Sequence, residues 1–122
     1  LRKGEERKSP YSGIEQQLLN TFFSGIYISA KEFLDIGREM GYSDLAMKNR
    51  ELLLKEIIAR AEQEKRIEEF AKKIDNLIGQ RKKEYSSLIE AYPKTSQLLS
   101  QLIHKATSTQ RLIYHQIRSK YI

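Results

Sequence analysis

Cysteine is absent from all 122 residues. That excludes disulfide frameworks, thiolate nucleophiles and Cys-ligated metal centres within the chain. Tryptophan is absent too, and histidine occurs only as His104 and His115. Eleven residues apart on one predicted helix, those two sit about 16 Å from each other, too far to share an ion. No metal and no cofactor is expected. Proline occurs twice, as Pro10 and Pro93, so few positions are barred from helix. The six glycines form no Gly-x-x-x-x-Gly-Lys loop for phosphates. The most apolar short run, Ile26 to Ala30, is far below the ~20 residues that span a bilayer. The last absence is of one sign of charge. Residues 91–122 contain no Asp or Glu.

The chain carries 22 basic and 16 acidic side chains, a net charge of +6. Residues 1–90 are nearly balanced, and the excess lies on Lys94, Lys105, Arg111, Arg118 and Lys120. A segment of one sign draws nucleic-acid phosphates, an anionic membrane surface or an acidic protein. The length fits one domain. Residues 1–10, charged and carrying Gly4 and Pro10, read as a flexible tail, and residues 11–122 as a single helical domain. A cysteine-free chain with no apolar span is expected in the cytoplasm.

Helical periodicity dominates. Ser12 and Glu15 have capping-box spacing ahead of an apolar face of Ile14, Leu18, Leu19, Phe22 and Phe23, closed by Ser24-Gly25. Ser29 and Glu32 repeat that spacing ahead of Phe33, Ile36 and Met40, with Gly41 as terminator. From Asp44 to Tyr92 no proline intervenes. The apolar positions Ile67, Phe70, Ile74 and Leu77 form one seam. Five polar residues, 62–66, and Gly79 are the two places where this segment could break. A continuous helix is expected, because neither place carries proline or a turn cluster. Pro93 ends it. A last helix then buries Leu99, Leu102, Ile103, Ala106, Ile113 and Ile117. The expected fold is all-α, a four-helix bundle-like domain with one long central helix, continuous or split. A helix of about 70 Å calls for a partner chain, so the seam predicts a homo-oligomer.

The stretch from Phe33 to Leu52, FLDIGREMGYSDLAMKNREL, resembles the helix-turn-helix of DNA-binding proteins, including the turn of AraC-type regulators. Gly37 stands at the small position and Gly41 at the turn; Arg50 departs from the apolar residue that this motif buries. The resemblance implies that Ser43, Asp44, Lys48 and Asn49 face a major groove. Arg111-Leu-Ile-Tyr-His115 is similar to the Arg-to-His signature of HEPN ribonucleases, with too short an interval. No catalytic constellation follows, and no small-molecule substrate is evident. The chain therefore reads as a non-enzymatic helical interaction module, an adaptor or chaperone-like protein that self-associates through Ile67, Phe70, Ile74 and Leu77. The alternative is a nucleic-acid-binding protein. Nucleic acid or an acidic partner would meet Lys105, Arg111, His115, Arg118, Lys120, Lys48 and Asn49.

Overall fold

The structure, a computed structural model, describes residues 11–120, with their side chains as far as Ile117. The stretch 1–10 read as a tail lies outside the described residues. Every regular element described is helical: α1 (Ser12–Leu19), α2 (Thr21–Ser24), α3 (Ala30–Glu39), α4 (Arg50–Gln63), α5 (Ile67–Ala91), a 3₁₀ turn (Pro93–Thr95) and α6 (Ser96–Lys120). The fold is an all-α bundle. α5 and α6 form a long antiparallel hairpin, and α1 to α4 pack around its proximal half. One core runs through α1, α3, α4, α5 and α6, with Leu18, Phe33, Leu53, Ile57, Phe70, Ile74, Ala106 and Ile113 among its members.

The central segment is split. α4 stops at Gln63 and α5 starts at Ile67, because Lys65 adopts the left-handed conformation at φ 59°. The Arg66 N–H then bonds the Ala61 carbonyl at 2.7 Å and the Lys65 N–H bonds Glu62 at 3.2 Å. These two bonds close the last turn of α4 as a Schellman motif. The break falls inside the polar run 62–66, where no side chain could bury itself to hold a straight helix together. α3 ends on the same motif. Gly41, at φ 98°, takes the left-handed position, and Tyr42 and Gly41 bond back to Gly37 and Arg38.

Two helix starts depart from expectation. Ser12 is the first residue of α1 and Tyr11 its N-cap, with no side-chain cap, so the Ser12–Glu15 box does not form. Asn20 ends α1 in an extended conformation and caps α2 by accepting from the Phe22 N–H. That turn rotates Phe22 and Phe23 out of the expected apolar face into solvent. By contrast, the Ser29–Glu32 box is complete, with both reciprocal bonds present. The apolar stripe of the last helix is buried at Leu99, Ala106, Ile113 and Ile117 and half-buried at Leu102 and Ile103.

The seam residues Ile67, Phe70 and Ile74 lie in the core of the single chain, and Leu77 packs half-buried against it. They are covered without a second copy, because the split lets α5 fold back against its own neighbours.

Candidate interaction surface

The helix-turn-helix geometry is not formed. Ten residues, Met40 to Asn49, separate α3 from α4. Within this connection Leu45 is buried and accepts a bond from Arg38 through its carbonyl at 3.2 Å. Asn49 caps α4, its side chain accepting from the Glu51 and Leu52 N–H groups. Lys48 donates to Glu56 at 2.5 Å. Asp44 takes a two-pronged bond from Arg60 at 2.8 and 2.7 Å, and the guanidinium holds its pKa down to about 2. Ser43, Asp44, Lys48 and Asn49 thus sit in a loop, and three of them are engaged in holding it.

The cations of α6 fall on two flanks. His104, Arg111 and His115 are exposed on the outer flank, and Tyr114 stacks edge-on against His115 with centroids 5.8 Å apart. Lys105 lies on the other flank, its ammonium 4.0 Å from the Phe22 ring centroid, a cation–π contact that ties α6 to α2. Lys105 and Arg111 are therefore not neighbours. The side chains of Arg118 and Lys120 lie outside the described residues.

The flank bearing Lys105 faces α2. Buried Thr109 donates to the Ser24 carbonyl at 3.2 Å, and Gly25 presses so closely that an added Cβ would meet the Leu102 carbonyl at 2.4 Å. From α5, Tyr85 Oη donates to the Gly25 carbonyl at 2.8 Å, and Arg81 bonds Glu32 and the Tyr27 carbonyl. α2 and the loop after it therefore cover this face of the hairpin as far as Tyr85 and Leu102.

Beyond that line the face is bare. Leu88 and Tyr92 continue the α5 stripe of Ile74, Ile78 and Tyr85 by helical period, yet they are 44% and 62% exposed. Leu98, on the Lys105 flank of α6, is 61% exposed, and Phe22, in the first turn of α2, is 72% exposed. Isolated surface leucines mean little, but these continue a core stripe past the point where the core ends. The sequence pattern carried a sign of this. Leu98 and Leu99 are adjacent on a helix, so only one of them can face α5.

A depression of about 950 Å³ runs along α5 past Asp75, Gly79, Lys83, Ser87 and Leu88 to Gln110. Gln110 is itself bonded, donating to Asp75 at 2.9 Å and accepting from Lys82 at 2.8 Å. Among the described residues, no group of three or more His, Asp or Glu is placed to hold a metal ion. No described helix is long and apolar enough to cross a membrane. Compared with protein families, with curated proteins and with solved structures, the chain shows no significant match to any of them.

Proposed function

We propose that this chain is a non-enzymatic helical interaction module, working in the cytoplasm, that binds a protein partner through the distal half of its α5–α6 hairpin. The observation that carries this reading is the exposure of Leu88, Tyr92 and Leu98, beyond half-buried Tyr85 and Leu102 where the cover by α2 and its following loop ends. Apolar surface of that kind, rimmed by charge, is what partner interfaces bury. The surface lies away from Ile67, Phe70 and Ile74, which the chain covers itself. Site-specific photo-crosslinkers at positions 88, 92 and 98 test it in the cells that produce the protein. Adducts of one discrete mass from these positions, and none from exposed Lys72 on the proximal half of α5, are expected. Equal labelling from all four positions would refute it.

A second reading has one observation in its favour. His104, Arg111 and His115 are exposed on a helix without a carboxylate, so α6, rather than residues 33–52, would be the element that meets nucleic acid. Steep weakening of duplex binding between about 50 and 200 mM salt, abolished by Arg111→Glu, would support it.

A further inference from the structure

We propose that α5 and α6 exchange between two copies of this chain, the link between α4 and α5 straightening so that residues 50–91 form one helix. Leu88, Tyr92 and Leu98 play no part in it. The first argument is the link itself. Three residues, Glu64 to Arg66, join the end of α4 at Gln63 to the start of α5 at Ile67. The bend holds Lys65 at φ 59°, a conformation that side chains of L residues resist. Yet Glu62, Gln63, Glu64, Lys65 and Arg66 are all strong helix formers, and Glu62 and Arg66 have the spacing of a helical ion pair. Gln63, Glu64 and Lys65 are exposed, so straightening them uncovers no core side chain of the link. A short connection under strain is where exchange of elements between copies begins.

The second argument is what the exchange keeps. Leu18, Phe33 and Ile57 of the first four helices share one core with Phe70, Ile74 and Ala106 of the hairpin. Arg81 with Glu32, Tyr85 with the Gly25 carbonyl and Thr109 with the Ser24 carbonyl join the same two halves. Each of these contacts forms equally well between α1–α4 of one copy and α5–α6 of another, because the residues are the same. The hairpin itself stays intact, joined through Pro93–Thr95. What changes is local to the link. Arg66 donates to the Met40 carbonyl at 2.7 Å and to Glu64 at 3.0 Å, and Tyr42 donates to Glu64 at 3.1 Å. These bonds fasten the bent link to the turn after α3. They are the latch that holds the chain closed on itself, and the strain at Lys65 opposes them. By mass action the closed monomer is the dilute form and the exchanged dimer the concentrated one.

The test refolds the full chain from urea at about 1 μM and at about 1 mM and reads its mass by sedimentation velocity. Refolding at the higher concentration should give a dimer that survives dilution, since its copies separate only by unfolding. Lys65→Gly relieves the bend and disfavours the straight helix, so it should lower the dimer yield at least about tenfold. Arg66→Ala removes the latch and should raise the yield. Because the chain has no cysteine of its own, spin labels can be placed at Glu51→Cys and Lys72→Cys, both exposed positions. With labelled chains diluted into unlabelled ones, the dimer should show an intrachain distance of about 32 Å, the span of straight helix between these positions, and the monomer a shorter one. A dimer whose chains keep the monomer's distance is side-by-side association and overturns the inference. So does a native chain that stays monomeric at the higher concentration, or a dimer yield that Lys65→Gly leaves unchanged. Should Arg66→Ala fail to refold, the native chain against Lys65→Gly remains the deciding comparison.

Discussion

The guanidinium of Arg50 lies 4.5 Å from the ring centroid of Tyr27 and 5.9 Å from that of Phe33. From there its Nε donates to the Ile28 carbonyl at 2.8 Å and its Nη1 to the Leu19 carbonyl at 3.1 Å. One side chain thus ties the end of α1 and the loop before α3 to the start of α4. A position that a helix-turn-helix would fill with an apolar residue is filled by a cation because two backbone carbonyls need donors. Arg50→Met should cost about 2–4 kcal/mol, since it strands both acceptors. Arg50→Lys should recover less than half of that, because one ammonium cannot span both carbonyls. Urea unfolding of the three proteins measures the difference, and full rescue by lysine would refute the two-carbonyl role.

Gly25 sets how closely α2 approaches α6. Its φ is 84°, and a Cβ would come within 2.4 Å of the Leu102 carbonyl and 2.9 Å of the Ala106 nitrogen. Both are helix backbone and cannot swing aside. Gly25→Ala should therefore cost more than about 3 kcal/mol, beyond the ~1 kcal/mol of the left-handed conformation alone. It should also release Phe22 from Lys105, readable as altered aromatic proton shifts of Phe22 by NMR.

Two Schellman motifs use different residues at the same conformation, and they predict opposite substitutions. Lys65 at φ 59° bears a strain that glycine would not. Lys65→Gly should raise stability by about 0.5–1 kcal/mol, and Gly41→Ala, where the space around the Cβ is open, should lower it by about 1 kcal/mol. A destabilising Lys65→Gly, seen as a lower Tm, would mean that the αL strain is not what the residue contributes.

The same two turns show what could be read in the sequence and what could not. Gly41 announces its turn, because glycine is the residue that the left-handed position favours. Lys65 does not; only the lack of apolar residues at 62–66 hints at the break, and a continuous helix was the simpler expectation. Ser29 and Glu32 form their box because both side chains are free to turn back on the backbone. Ser12 and Glu15 have identical spacing, but Glu15 is buried beside Lys55, 3.9 Å away, and Tyr11 takes the cap. Ser43-Asp44 looks like a helix start, yet Arg60, sixteen residues on, claims Asp44. All-helical class and core stripes were legible, being local and periodic. The exposed distal residues were not, since their exposure depends on where α2 is seated, and that is set by its cap at Asn20, by Gly25 and by contacts across the fold.

The chain's own coverage of Ile74 separates stability from assembly. Ile74 is fully buried and Leu77 only partly so. Ile74→Ala should cost about 2–4 kcal/mol by cavity formation, and Leu77→Ala about 1 kcal/mol. Ile74→Glu with Leu77→Glu should unfold the protein, whereas Leu77→Glu alone should leave both the fold and the mass in solution unchanged. A drop in sedimenting mass on Leu77→Glu alone would restore these residues to a subunit interface.

Two buried-edge glutamates carry opposite pH signatures. Glu15 is pushed up by burial, which Lys55 only partly offsets and Glu51 reinforces. Its charged form is disfavoured on folding, so its contribution is best when protonated and declines as pH rises through the raised folded value. Glu32 is also raised by burial, but the Arg81 hydrogen bond, the Ser29 donors and the Arg81 charge outweigh this and hold it below the ordinary range. Its contribution is full above the unfolded value, about 4.3, and is lost as pH falls through the lowered folded value. Glu15→Gln should therefore raise Tm by a few degrees at pH 7, and the gain should vanish at the acid end. Glu32→Gln should lower stability at pH 7 by about 1–2 kcal/mol, with the deficit closing as pH drops. Both variants losing stability at pH 7 with parallel pH profiles would contradict the burial of Glu15 as the source of its shift. The pair is informative together because general acid destabilisation affects both variants alike and cancels in the comparison.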